Sequence, residues 1–537
     1  MAEEQKQSKT ERSKHRSITK RIVVTGYLEL TRPAHFGNGD AAELTDMPLL
    51  VDEPLFTDDA DLSGVAHTRA MIPGASLAGA LRNYLREREW GYEMLSPPRD
   101  PQHRHYFEWS GTENDLLAAE LFGGYRGVPD GDQSPLIVED AFSEKTGLPE
   151  VELRDGVKLE ARTRTAEEKK KYDYQLLPAG TRFKLIFELL LDDEPDKNTR
   201  RLKALAIVLR GLGGRKLADG SIQDGEIRLG ARKRRGFGCC RVANWEVTVY
   251  DLIKPGGVFG WLAADYQDKD GWKLEHQPEK SSGDNIFELL GVAESEAGAD
   301  RRDDFEIEAS FEIDCSLMIR SGFSNQHLGP DTIHLQTKSG KNGDLTPTLS
   351  GTSVAGAIRN RALRIANTLT GDGSGVALNL VNSMFGPEKI GFGDEPFASR
   401  VRVNEEFIKG GHSLVQTRIK IDRFTGGTIE SALLEEAPQF GGTVTLQISL
   451  RNPEDGEIGL LLLVLKDLWL GDLPLGGESS VGRGRLCGIW ASIRRSGQNK
   501  ILMTRNSNGR IKLSDENAAQ RLEACVAALN QHLVERK

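Results

Sequence analysis

Residues 71–85 read MIPGASLAGALRNYL, and residues 348–363 read TLSGTSVAGAIRNRAL. Aligned on Gly74 and Gly351, both carry a glycine, a small residue, a serine, an apolar residue, Ala-Gly-Ala, another apolar residue and Arg-Asn. Agreement of that density between distant segments marks an internal repeat. Ser76 and Ser353 suit helix N-caps. Leu77, Leu81 and Leu85 in one copy, and Val354, Ile358 and Ile365 in the other, form an apolar stripe of helical period. Arg82 and Arg359 then fall at equivalent places on two equivalent helices.

Further landmarks recur outward from this pair in the same order. Each copy opens with a strand: RIVVTGYLEL places Ile22, Val24, Leu28 and Leu30 on one face, and FEIEASFEIDC alternates from Phe305 to Cys315. Beyond the repeated helix come ELFGG (120–124) and SMFGP (383–387). TRFKLIFELLL and TVTLQISL then alternate as strands and lead into the apolar helices of 201–214 and 458–477. Two glycine-rich loops, GARKRRGFGCCRV (230–242) and GGESSVGRGRLCGIW (476–490), each run into a last strand. This order predicts an α+β fold of two tandem ferredoxin-like (RRM-like) βαββαβ modules with insertions, over 21–250 and 304–498. Residues 1–20 read as a mobile basic tail and 251–303 as a linker with short structured pieces. Residues 499–537 form an extension whose Leu522, Val526, Leu529 and Leu533 mark an amphipathic helix packed on the second module.

With 38% hydrophobic and 28% charged residues, the 537-residue chain can bury ordinary cores. No apolar run approaches the roughly 20 residues of a membrane-spanning helix, and the first residues lack the apolar segment of a secretory signal, so a cytoplasmic location is expected. Five cysteines, without CxxC pairs, indicate neither a disulfide framework nor a cysteine zinc site. The net charge of −10 argues against nucleic-acid binding over the whole surface and restricts it to local basic patches. The strongest such patch runs from Arg228 to Arg241, with Arg228, Arg232, Lys233, Arg234, Arg235 and Arg241 among glycines, and Arg483 and Arg485 stand in the matched loop. Glycine lets backbone N–H groups approach a phosphate closely, and arginine forks match its oxygens. Phe237 offers a stacking face. A solvated charge run in a turn is the plainer alternative, but the joint recurrence of glycine and arginine in both loops favours RNA.

Taken together, the loop after the first strand, IPGASLAGALR, ELFGG with SPLIVEDA beyond it, and GARKRRGFG resemble the RAMP superfamily, in particular the backbone subunits of type III CRISPR effector complexes. The second copy repeats the pattern with SGTSVAGAIRNRALR, SMFG, IKIDRFTGG and SSVGRGRL, whereas the first has KLEARTRTAEE where IKIDRFTGG would stand. A chain carrying two copies resembles the fused double-backbone subunits of the type III-D branch. The resemblance implies binding of a guide crRNA and complementary target RNA beside other subunits of such a complex. Arg82, Arg232, Lys233, Arg234, Arg235, Arg359, Arg483 and Arg485 would be the RNA-binding residues.

It also implies that a carboxylate in the loop after the first strand cuts target RNA with a metal ion, Mg²⁺ being expected. Asp46 in ELTDMPLL and Asp331 in GPDTIHL are the matching positions, with Asp40 a local competitor. RNA carries its own nucleophile, the 2′-OH, so such a site needs alignment, proton removal and charge stabilisation. An aspartate that merely caps its own loop is the structural alternative. His35, His67, His327 and His334 are rival acid–base groups in or near the two loops, and His103 with His105 are two potential metal ligands without a third. A noncatalytic scaffold and a histidine-dependent guide-processing endoribonuclease remain alternative readings.

Overall fold

The computed structural model describes residues 17–39, 45–52, 68–92, 116–124, 133–144, 151–160, 163, 165–216, 222–263, 278–321, 329–339, 344–371, 375–387, 397–506, 510–514 and 517–535. The longer elements are labelled in chain order. In the first half they are β1 (Lys20–Leu30), α1 (Gly74–Trp90), α2 (Leu117–Phe122), β2 (Leu136–Val138), β3 (Glu152–Leu159), β4 (Ala166–Leu176), β5 (Arg182–Leu191), α3 (Pro195–Leu212), β6 (Cys240–Asp251), α4 (Pro255–Leu262) and β7 (Glu279–Gly283). The second half has β8 (Asp304–Asp314), α5 (Gly351–Thr370), α6 (Val376–Phe385), β9 (Val401–Val403), β10 (Gln416–Ile421), β11 (Thr428–Ala437), β12 (Thr443–Arg451), α7 (Asp455–Trp469), β13 (Arg485–Arg495), β14 (Ile501–Arg505), β15 (Ile511–Leu513) and α8 (Ala518–Glu535).

The two main sheets have the same antiparallel plan. The first runs β7-β6-β1-β5-β2 and the second β15-β14-β13-β8-β12-β9. The alternating strands behave as their period requires: Ile22, Val24, Leu28 and Leu30 of β1 are buried under α1 and α3, as Phe305, Ile307, Ala309, Phe311 and Ile313 of β8 are under α5 and α7. Each sheet has its own apolar core, so the repeat is a repeat of folding units. The first core also takes in Ile286, Phe287 and Leu290, and β7 pairs with β6. Part of the segment read as linker thus belongs structurally to the first sheet. At the other end, β14 and β15 widen the second sheet, and α8 buries Leu529 and Leu533 against α7. Gly459 permits that approach, because a Cβ there would overlap the carbonyl oxygen of Cys525.

The repeated helices begin earlier than their serines suggest. Pro73 and Ser350 hold the N-cap positions, so Ser76 and Ser353 lie inside the first turn. The preceding glycines decide this. A Cβ on Gly74 would overlap the Val138 carbonyl oxygen of β2, and one on Gly351 would come within 2.7 Å of the Val403 oxygen of β9. Each helix start is therefore pressed onto the backbone at its sheet edge, and Gly74 N–H is satisfied by Asp140 Oδ1 at 2.6 Å.

Candidate functional site

A two-stranded hairpin rises beside each main sheet, β3–β4 in the first half and β10–β11 in the second. The loop after the first strand crosses the base of its hairpin in the same register in both. Met47 bridges Tyr174 in parallel, and Thr332 pairs in parallel with Glu436. Asp46 and Asp331, each one residue earlier, are exposed and anchored alike. Asp46 Oδ2 accepts the Asp173 N–H at 3.0 Å, and Asp331 Oδ2 accepts the Glu435 N–H at 2.9 Å. Asp46 N–H also donates to Asp173 Oδ1 at 2.8 Å, closing a reciprocal clamp. The backbone-capping role and the outward carboxylate coexist in one residue. Asp173 and Glu435 are neighbours that sequence reading missed, because hairpin pairing alone brings them there.

Both glycine-rich loops share one backbone course beside these clamps. Arg232 (φ 55) and Glu478 (φ 62) are left-handed, a short 3₁₀ turn follows at 233–235 or 479–481, and Gly236 or Gly482 returns to positive φ. Their supports differ. In the first half Arg232 lies over the rings of Tyr172 and Tyr174 at 4.8 and 4.4 Å and donates to the Tyr172 hydroxyl at 2.8 Å. Phe237 is fully buried against Tyr174, so the stacking face expected of it is not available. In the second half the places of Arg232, Tyr174 and Phe237 are taken by Glu478, Glu436 and Arg483. The Arg483 side chain is 3% exposed and paired with Glu436 at 3.1 Å and Glu478 at 2.6 Å. It props the loop from within, where no outside phosphate reaches it. Arg485 is half exposed and 3.9 Å from Asp314.

Arg82 and Arg359 are also committed inward, and equivalently. Arg82 Nη2 donates to the Gly123 carbonyl at 3.4 Å and Arg359 Nη1 to the Gly386 carbonyl at 2.7 Å. These glycines are the C-caps of α2 and α6, the ELFGG and SMFGP landmarks. A cation at a helix C-terminus satisfies orphan carbonyls and the helix dipole together. The repeated arginine thus has a structural role, bridging its helix to the C-terminus of the next.

The first loop's remaining cations form the joint between the halves. Arg234 donates to the Ser399 carbonyl and Arg235 to the Val401 carbonyl at 3.4 Å, along β9. A Cβ on Gly236 would overlap the Glu405 nitrogen, and one on Gly351 the Arg235 oxygen. From the adjacent hairpin, Arg154 forks onto Glu405 at 2.5 and 2.9 Å, with side-chain exposures of 4% and 0%. Burial works against the Arg154 charge, but Glu405 more than offsets it and holds the guanidinium above its ordinary value. Arg32 reaches Glu405 O and Glu406, while Glu152 accepts from Thr337 and Lys338. The contact is head-to-tail: loop and hairpin of one half against the α5 face of the other. The matching α1 face of the first half is an open cleft of about 340 Å³ lined by Gly74, Ala78, Gly79, Arg82 and Leu136.

Of the candidate histidines, two lie among the described residues, and both are buried. His35 and His334 are each 3% exposed. His35 Nδ1 lies 2.8 Å from the Gln175 carbonyl, and burial pushes the His334 imidazole down to about 4 while its Nδ1 accepts the Ile319 N–H. Asp40, His67, His103, His105 and His327 lie outside the described residues. Among the described residues no group of three or more His, Cys, Asp and Glu side chains is arranged to hold a metal. Asp46 with Asp173, and Asp331 with Glu435, offer hard oxygen ligands of the kind Mg²⁺ takes, in numbers that leave most positions to water or phosphate.

No described helix is long and apolar enough to cross a membrane. Comparison with protein-family models matches residues 27–241 and 311–487, more than half of the chain, to the RAMP superfamily. No curated protein matches the sequence.

Proposed function

The chain belongs to the RAMP superfamily of CRISPR-associated RNA-binding subunits, and on that premise we propose that it is a double backbone subunit of a type III interference complex, of the fused kind that marks the type III-D branch. Its two ferredoxin-like modules grip successive stretches of guide crRNA, and complementary RNA is cut at Asp46 and Asp331. The observation that carries this reading is the equivalence of the two aspartates: exposed, in the same register on their hairpins, and each fixed by a hairpin backbone N–H.

Each carboxylate is held rigidly by one oxygen. It is thereby placed to orient a target 2′-OH, or to accept its proton, without reorganisation during the reaction. Mg²⁺, when bound through Asp46 or Asp331 and RNA phosphates, would supply stabilisation of the developing negative charge. Other subunits stack on the open α1 cleft and on the loop of 478–482, the counterparts of the two surfaces joined inside the chain. Of the histidines that guide processing could use, His35 and His334 are buried and so unsuited to it.

The test is cleavage of end-labelled target RNA by the complex assembled around its guide, with Mg²⁺ or with EDTA. Asp46→Asn and Asp331→Asn should each remove one of two metal-dependent products by about 100-fold or more, and the double substitution both. If every product survives the double substitution, the chain is a noncatalytic scaffold.

A further inference from the structure

The two anchored aspartates hang on strands that are braced by opposite chemistry. In β4 the residue that clamps Asp46 is the middle of Tyr172-Asp173-Tyr174, and in β11 the residue that clamps Asp331 is the middle of Leu434-Glu435-Glu436. Strand alternation turns the flanking residues to the other face of the hairpin, where the glycine-rich loop meets them. What grips them there sets how firmly each clamp is held. In the first half the grip is one cation on two rings. Arg232 lies over Tyr172 and Tyr174, which pack on each other at 6.0 Å, and donates to the Tyr172 hydroxyl. Gly156, directly across the hairpin from Tyr172, leaves room for the ring, since a Cβ there would come within 2.1 Å of it.

In the second half these positions are exchanged together. Across from Leu434 stands Arg418, which pairs with Glu436 at 3.4 Å and with Glu478 at 3.1 Å. Arg483 ties the same two carboxylates from within, and Arg320, just beyond β8, reaches Glu478 at 3.1 Å. Three guanidinium groups thus hold two carboxylates where the first half has rings. Burial works against the Glu478 charge, but its hydrogen bond with Glu436 and the charges of Arg483, Arg320 and Arg418 more than offset it and hold the carboxyl below its ordinary range. The physical difference is plain. A cation over rings is attracted by their fixed quadrupoles and needs no counter-ion. An ion cluster whose members Arg418 and Arg320 are 36% and 61% exposed is weakened by screening salt, and neutralising one of its carboxylates leaves the buried Arg483 under-paired.

We propose that the two braces are positioning devices of unlike kind for the two aspartates: Arg232 on Tyr172 and Tyr174 holds the Asp46 clamp, and Glu478 with Glu436, Arg483 and Arg418 holds the Asp331 clamp. The inference rests on the cleavage reading for what the aspartates do, but the clamps themselves are properties of the chain alone. The second site, and not the first, is then governed by ionic strength. One chain carries a site of fixed geometry and a site tuned by salt.

The experiment follows the amide hydrogens of Asp173 and Glu435, each donated to the aspartate it anchors and exchanging only when that clamp opens. Hydrogen exchange of the full chain is measured over a sodium chloride series at one pH, in wild type, Glu478→Gln, Glu478→Asp and Arg232→Met. High salt should speed exchange at Glu435 by about fivefold and leave Asp173 unchanged. Glu478→Gln should speed it by about tenfold already in low salt. Glu478→Asp, which keeps the charge, should restore much of the protection, and Arg232→Met should release Asp173 alone. The same proteins, assembled with guide, then cut end-labelled target RNA at saturating concentration. The ratio of the Asp331 product to the Asp46 product should fall with salt and in Glu478→Gln, and any common loss of RNA affinity cancels from that ratio. If the two amides respond alike to salt, or Glu478→Gln leaves Glu435 protected, the ionic brace is refuted. If the amides separate and the products do not, the braces are structural and position neither carboxylate for cutting. Amides that separate in a chain whose complex cuts equally well with Asp46→Asn and Asp331→Asn combined would keep the braced clamps and reject the cleavage reading.

Discussion

Arg154→Met removes one half of the most buried ion pair across the joint. Glu405, fully buried and bonded through both oxygens to Arg154, is left with its charge and no partner. Breaking a buried pair from one side typically costs about 3–5 kcal/mol, most of it the unanswered charge. The substitution also frees Thr337 Oγ1 from its 2.8 Å contact with Arg154, though Thr337 keeps Glu152. For folding units of this size each kcal/mol displaces a melting midpoint by about 2–4 °C, so differential scanning calorimetry should find the first transition lowered by roughly 10 °C. Two further results distinguish an orphaned charge from lost packing. Arg154→Met/Glu405→Leu should recover much of the loss, because both charges are then gone. The deficit of the single variant should also shrink as pH falls, since a buried, unpaired Glu405 takes up a proton more readily than it does in the unfolded chain. If the double variant melts lower than the single, or the deficit is the same at pH 5 and pH 7.5, the reasoning is wrong and Arg154 acts through its packing on Phe237.

Gly351→Ala should destabilise the chain by about 1–3 kcal/mol, because its Cβ meets the backbone oxygens of Arg235 and Val403, neither of which can swing aside. Gly356→Ala, five residues along the same helix on its exposed side and open to space, should be neutral or gain up to about 1 kcal/mol in helix propensity; equal urea midpoints for the two would contradict this contact. His334 predicts a pH dependence. Unfolded chain binds a proton at this residue as pH drops through about 6.5, whereas burial delays it in the folded state to about 4. Stability is therefore lost between those values by about 3 kcal/mol and is fully present above them. His334→Gln should flatten that part of the profile in urea titrations at pH 7 and pH 4.5, and an undiminished loss in the variant would dismiss His334 as its source.

Much of the fold was legible in local sequence. A period of two gave β1 and β8, a period near 3.6 gave α1, α5 and α8, and the recurrence of Gly-x-Ser-x-Ala-Gly-Ala-x-Arg-Asn announced two copies of one plan. The glycines recur in both copies, but their use, close approach of protein backbone at Gly74 and Gly351 and positive φ at Gly236 and Gly482, emerged only in the fold. The aspartates could be matched between copies by their flanks. Their common anchoring on hairpins could not, because it depends on register between segments more than a hundred positions apart.

Charge was the part that sequence misled. An arginine reads the same wherever it stands, yet Arg359 caps a helix, Arg483 is buried on two glutamates, and Arg154 finds Glu405 across 251 positions. Sequence alone determined two repeats with their main strands and helices, because those follow from neighbours within a few residues. Which cations are spent inside the protein and which are left facing solvent was decided by tertiary structure, because desolvation and pairing depend on what the fold brings within a few ångströms of each charge.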